Sequence, residues 1–117
     1  MKNILIIGFG GTIAMPPDST RGGVLRPAKT IDEILTLVPT LRGHANITLK
    51  QILNIDSTNV NPSHWAMLAI AIADSISGYD AIIVTHGTDT MAYTATAISF
   101  AIGSNPPIPI IFTGSQL

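Results

Sequence analysis

The chain has 117 residues, with 6 Lys and Arg against 7 Asp and Glu and a formal net charge of -1. That balance gives no bulk attraction to nucleic acid or to an anionic membrane, and a hydrophobic content of 46% excludes intrinsic disorder. Cysteine is absent, so disulfide scaffolds, thiolate-bound zinc and thiol catalysis are excluded. Only 11% of residues are charged, against roughly 25% in an ordinary soluble domain. So little polar cover on so small a body predicts that much of its surface meets other protein, as an oligomer or as part of a larger fold.

No apolar run approaches the roughly 20 residues needed to cross a bilayer. Residues 4–7 (Ile-Leu-Ile-Ile) follow Lys2 but are cut short by Gly8, Gly10 and Gly11. They read as a buried first strand rather than a signal peptide, and the expected location is the cytoplasm. Residues 9–29 are rich in Gly, Pro, Ser and Thr and show no periodicity, which predicts a long functional loop. Thr30 with Glu33 is a capping-box pattern that opens a short helix carrying Ile31, Ile34, Leu35 and Val38 and ending at Pro39. A second strand is expected over 47–55. Asn61-Pro62 reads as a helix start, followed by Trp65, Leu68, Ala69, Ile72 and Ile76 at helical spacing, with Gly78 as terminator. The third strand is read over 81–84. The third helix spans 91–101 and is closed by Gly103, with a small face of Ala92, Ala95, Thr96 and Ser99 turned to the sheet. A fourth strand over 108–112 is fenced by Pro106, Pro107 and Pro109, which suits a sheet edge.

Strands alternating with helices predict an α/β fold: an open, mostly parallel sheet flanked by helices and joined by right-handed crossovers. Such a domain would continue past its fourth strand with another helix, so the sequence reads as unfinished at its C-terminus. Ligands of open α/β sheets bind beyond the carboxyl ends of the strands. Those ends read Gly8-Phe9-Gly10-Gly11-Thr12, Asp56-Ser57-Thr58-Asn59, Thr85-His86-Gly87-Thr88-Asp89-Thr90 and Thr113-Gly114-Ser115-Gln116. In a parallel sheet their hydroxyls and carboxylates share one rim.

The first tip is not a dinucleotide fingerprint, because Ile13 occupies the third glycine position, and no Gly-Lys-Ser/Thr follows to make a phosphate loop. Two readings stay open there. It is a glycine turn needed for packing, or a turn that exposes the Thr12 hydroxyl beside backbone N–H groups, as a nucleophile and its oxyanion hole require. The third tip places a carboxylate at the rim. Asp89 or Thr88 caps the following helix, and the positive helix N-terminus favours an anion that could hold a substrate ammonium. His86 reads as a hydrogen-bonded structural residue, and His44 and His64 make no metal spacing with it. Taken alone, Asp56-Ser57-Thr58 reads as a turn before the Asn61 cap. Trp65 and the methionines read as core, and Tyr93 as packing.

Gly10-Gly11-Thr12-Ile13-Ala14 and, about 75 positions on, His86-Gly87-Thr88-Asp89-Thr90-Met91 resemble the two signature motifs of the bacterial and archaeal L-asparaginases. Asn54-Ile55-Asp56-Ser57-Thr58 is similar to that family's substrate-binding segment, and residues 107–115 to its strand-and-glycine segment. The resemblance runs through the whole chain in order. It implies a Rossmann-like or flavodoxin-like N-terminal domain over 1–117, without the C-terminal domain, and conversion of L-asparagine to L-aspartate and ammonia. Thr12 would be the nucleophile, and Thr88 would act with a lysine in proton transfer. Asp89 would hold the substrate α-ammonium and Ser57 the α-carboxylate. Asp56, Gly87 and Ser115 would complete the substrate-binding set, with the Ser115 carbonyl orienting the amide. Backbone N–H groups near Thr12 and Thr88 would stabilise the oxyanion. No metal or organic cofactor is implied.

The chain departs from the family pattern in two places. Residues 20–28 contain no tyrosine, although the family's mobile loop supplies one, and the lysine partner would fall beyond Leu117. The resemblance also implies a homo-oligomer whose neighbouring subunit completes the site, so the 117-residue piece alone is expected to be inactive. Two alternatives stand beside this. One is the glutaminase-type subunit of an archaeal tRNA amidotransferase, which shares both motifs but carries extra N-terminal sequence, whereas here Met1 stands almost at the first strand. The other is a non-catalytic assembly domain.

Overall fold

Four parallel strands line up in the order β4-β1-β5-β6, where β1 is Asn3–Gly8, β4 is Asn46–Gln51, β5 is Ala81–Thr85 and β6 is Ile110–Thr113. The structure is a computed structural model and describes residues 1–10, 17–18, 24–25, 35–36, 38–53 and 55–114. Two very short strands, β2 (Pro17–Asp18) and β3 (Val24–Leu25), pair antiparallel within the long segment read as loop. Helix α1 covers Pro62–Ser75 and is followed by a 3-10 turn over Ile76–Gly78. Helix α2 covers Met91–Ile102.

Counted among the parallel strands alone, the order is second, first, third, fourth. This is the flavodoxin-like arrangement, and its topological switch lies between β1 and β5, where the chain stops adding strands on one side and begins on the other. The α/β fold with an open parallel sheet is therefore as expected, and β6 is at the edge, as its prolines require.

Strand periodicity of two sorts the core. Leu5, Ile7, Ile82 and Val84 point to the helices and pack with Leu68, Ile72 and Ile98, all nearly inaccessible. Full burial of each such side chain contributes about 1.5–3 kcal/mol. Ile4, Ile6, Ile47, Leu49 and Ile83 form a second apolar cluster on the opposite face. On β4 the helix-side positions are the exposed Thr48 and Lys50, in register with Leu5 and Ile7, so the helices cover β1, β5 and β6 rather than this edge.

Several boundaries differ from the expectations. The second strand ends at Gln51, not at 55. The N–H groups of Ile52 (3.0 Å) and Leu53 (3.2 Å) both turn onto the Gly8 carbonyl, which ends the ladder there. The fourth strand starts at Ile110 rather than 108, because Pro109 has no N–H to donate and joins the sheet only through its carbonyl, which accepts from Ile82 N–H at 3.0 Å. The small face assigned to α2 is also displaced: Ala92, Thr96 and Ser99 are exposed, Ala95 is half-buried, and the helix buries Thr94 and Ile98 instead. Tyr93 is 67% exposed and Met67 45%, so neither is core. Of the short helix over 31–38, Leu35 and Thr36 are helical, while residues 31–34 and 37 lie outside the described residues.

Helix α1 starts as read. Asn61 caps it by accepting from Ser63 N–H (3.0 Å), and His64 Nδ1 closes the box by accepting from Asn61 N–H (3.1 Å). This is where His64 is engaged. Helix α2 ends at Gly103, whose φ of 95° is open to glycine and whose N–H bonds to the Ser99 carbonyl.

Candidate active site

The four strand tips are tied to one another by short-range contacts. At the switch point, Phe9 N–H donates to the Thr85 carbonyl (2.9 Å), and the Phe9 ring lies against the His86 ring with centroids 5.1 Å apart and planes at 28°. Gly10 follows with φ 94°, and a Cβ there would collide with the backbone of Ile55, lying 2.9 Å from its nitrogen. Glycine is thus required both for the turn and for the approach of the first tip to the second. Gly114, just past β6, comes so close to the His86 carbonyl that a Cβ would overlap it, with Thr88 Cγ2 at 3.3 Å. His86 N–H in turn donates to the Thr113 carbonyl (2.9 Å).

The second and third tips are joined by a side chain. Asp56 Oδ1 accepts from Thr58 N–H (3.0 Å) and opens a 3-10 turn over Ser57–Asn59. Ser57 is only 3% exposed. Its carbonyl accepts the Thr90 hydroxyl (2.7 Å) as well as Val60 N–H (3.1 Å). Thr90 stands at the N-cap of α2, but its hydroxyl is spent on Ser57 and makes no cap bond. The expectation that Asp89 or Thr88 caps this helix is therefore corrected: the cap position belongs to Thr90, and the helix start carries no side-chain cap.

The candidate residues occupy this rim at different depths. Gly87 is buried, Thr88 is half-buried, and Asp56 and Asp89 are exposed. Solvent-facing carboxylates beside a buried serine and a half-buried threonine suit a small polar ligand entering from the strand ends. Thr12 and Ser115 lie outside the described residues. Among the described residues no group of three or more His, Cys, Asp or Glu is placed to hold a metal ion, and no helix is long and apolar enough to cross a membrane.

Under the rim lies a buried polar chain. His86 is fully inaccessible, with Nδ1 2.7 Å from the Gly87 carbonyl and Nε2 2.8 Å from Thr94 Oγ1. The indole N–H of Trp65 donates to the same Thr94 oxygen at 2.9 Å. Burial lowers the His86 pKa from its ordinary 6.5, partly opposed by the bond to the Gly87 carbonyl. His86 is thus the hydrogen-bonded structural residue it was read as. Thr94 and Trp65 escaped the sequence reading, Trp65 being taken as plain core. The available signal was Thr94 itself, a polar residue in line with Ile98 and Ile102 on the inward stripe of α2.

Residues 3–117 match the family Asparaginase, N-terminal. The chain is 48% identical over 116 residues to a glutamyl-tRNA(Gln) amidotransferase subunit of Methanosphaera stadtmanae, covering 98% of this chain and 26% of that protein. It is 44% identical over 115 residues to the L-asparaginase of Thermococcus kodakarensis, covering 97% of this chain and 34% of that protein. Among solved structures, the thermostable L-asparaginase of Thermococcus kodakarensis superposes with a TM-score of 0.86 at 41% identity, over 98% of this chain and 34% of that one. The probable cytoplasmic L-asparaginase of Campylobacter jejuni gives 0.79 at 37%, over 97% and 35%. The chain thus spans between a quarter and about a third of the length of these relatives. A match over nearly every residue, together with the same fold, establishes that the chain belongs to the asparaginase N-terminal family.

Proposed function

We propose that the full-length protein carrying this chain is an amidohydrolase that converts L-asparagine to L-aspartate and ammonia. Thr12 Oγ attacks the side-chain amide carbon, the C–N bond breaks, and the nitrogen leaves as ammonia after taking a proton. Water then attacks the resulting ester, aspartate departs, and the proton returns to Thr12. A threonine hydroxyl needs activation for this. Thr88 takes part in this, with a lysine supplied by another part of the full-length protein. Asp89 holds the α-ammonium and Ser57 the α-carboxylate, with Asp56, Gly87 and Ser115 completing the pocket. Backbone N–H groups near Thr12 and Thr88 stabilise the oxyanion, an effect worth about 3–4 kcal/mol per donor. The protein works as a homo-oligomer in the cytoplasm, needs no metal or organic cofactor, and its active site is completed by the C-terminal domain.

The observation that supports this reading is the Thr90–Ser57 hydrogen bond, which ties the turn after β4 to the Thr88–Asp89 loop after β5 across the intervening β1. The test is ammonia release by the full-length protein supplied with asparagine or glutamine. Thr12→Ala is expected to abolish turnover while leaving the circular dichroism spectrum unchanged; near-normal turnover removes the nucleophile assignment. The 117-residue piece alone is expected to release little ammonia, and addition of the C-terminal part in trans to restore it.

The likeness to the Methanosphaera stadtmanae amidotransferase subunit supports a second reading, a glutaminase-type subunit acting within a tRNA amidotransferase. A strong preference for glutamine over asparagine in the same assay selects it.

A further inference from the structure

We propose that Trp65 and Thr94, which sit beneath the rim, are positioning residues for the Gly87–Asp89 turn, acting through the proton arrangement of His86. This rests on the amidohydrolase reading for its consequence in turnover, but its structural half stands on the hydrogen-bond chain alone.

The direction of each bond in that chain follows from its ends. A carbonyl oxygen only accepts, so the 2.7 Å contact to Gly87 requires the proton on His86 Nδ1. Indole N–H only donates, so Trp65 takes a lone pair of Thr94 Oγ1. The arrangement that pairs every atom of the chain then has the Thr94 hydroxyl donating to a bare Nε2 across 2.8 Å. The carbonyl end thus fixes the proton on Nδ1, and burial, which disfavours the charged ring, leaves Nε2 bare to accept from Thr94. The Phe9 ring against one face holds the plane.

The consequence lies in the next peptide. The Gly87–Thr88 peptide is planar and trans, so its C=O and N–H point in opposite directions. Drawing the Gly87 carbonyl to the buried ring therefore fixes the direction of Thr88 N–H, which leaves on the side away from that ring. The opposite tautomer would face the Gly87 carbonyl with a bare nitrogen, two acceptors in contact, and that peptide would rotate. Trp65 enters from α1 and Thr94 from α2, so both helices bear on the orientation of a rim peptide through the His86 ring.

The test uses full-length protein labelled with 15N-histidine. His86 is expected to give the signals of a single neutral tautomer protonated on Nδ1, throughout the range where an ordinary histidine titrates. Thr94→Val is expected to replace it with a tautomer mixture and to lower kcat about tenfold with little change in KM, as loss of an oriented donor does. Thr94→Ser restores both. Trp65→Phe keeps the ring packing, removes only the N–H, and shifts both readouts the same way by less. A wild-type imidazole protonated on Nε2, or unchanged signals and kcat in Thr94→Val, overturns the proposal even when amide hydrolysis is confirmed. Altered signals with no hydrolysis of either amide by the wild type instead remove the amidohydrolase reading, and the role in turnover with it.

Discussion

The two ends of the sheet are held together by different means. At the amino ends, Asn3 N–H donates to Asp80 Oδ2 (2.8 Å), Asn46 Nδ2 donates to Asn3 Oδ1 (3.2 Å), and Lys2 lies 3.8 Å from Asp80, all in exposed positions. At the carboxyl ends the links run through buried or half-buried atoms: the His86 ring, the Thr90 hydroxyl, and two glycines packed against neighbouring backbone. Glycine makes the contrast sharp. Gly43 before β4 and Gly78 before β5 have open space where a Cβ would go, whereas Gly10 and Gly114 after β1 and β6 have none. One end is closed loosely by solvated polar contacts and the other is fitted atom to atom, which is the economy expected where loops must hold a ligand on a rigid scaffold.

The largest effect expected from breaking the fitted end is Gly114→Ala. The added methyl meets the His86 carbonyl, and the loss should reach about 3 kcal/mol or more, read from urea unfolding of the full-length protein. Gly43→Ala at the other end is expected within about 0.5 kcal/mol of wild type. A drop equal to that of Gly114→Ala would erase the distinction.

Next in size is a dependence on pH. Burial holds the folded pKa of His86 below the ordinary 6.5. Above 6.5 the ring is neutral folded and unfolded, and stability is complete. As the pH falls from there toward the folded value, the unfolded chain takes up a proton that the folded chain refuses, so stability declines. Unfolding midpoints across this window should slope downward with acid for the wild type, and less so for His86→Gln.

Thr90→Val removes the bond to the Ser57 carbonyl and should cost about 1 kcal/mol. On the proposed role of Ser57 in holding the α-carboxylate, it should also raise KM for the amide more than it lowers kcat, because the Ser57 turn loses its tie. The smallest effect belongs to Lys2→Ala at the solvated end, less than about 0.5 kcal/mol, since the ion pair is exposed and screened.

What could be read from the sequence follows the reach of the forces involved. Strands β1 and β5 were readable because buried apolar runs with polar tips depend on neighbours in sequence. Helix α1 was readable from Asn61 and Pro62 for the same reason. The end of β4 was not: Ile52 and Leu53 are as apolar as strand residues, and only the Gly8 carbonyl, distant in sequence, decides that the ladder stops. The inward stripe of α2 was misplaced because a threonine lies at its centre. Thr94 is buried on account of partners 8 and 29 residues away, which no local pattern reports. Of the rim, the tips containing Ser57, Thr88 and Asp89 are legible where each apolar run gives way to polar residues, while the polar layer beneath them depends on Trp65 and His86 meeting at Thr94.

The central place of β1 has a further consequence, for synthesis. Of the four strands of this sheet, the earliest to leave the ribosome is the one that needs partners on both sides, and those partners are β4 and β5. At ordinary elongation rates it waits on the order of seconds for the later of them to emerge. During that interval the Ile-Leu-Ile-Ile run has two open edges. Nascent chains of this protein should therefore depend on a holding chaperone until β5 has appeared, and should become independent of it once that strand docks.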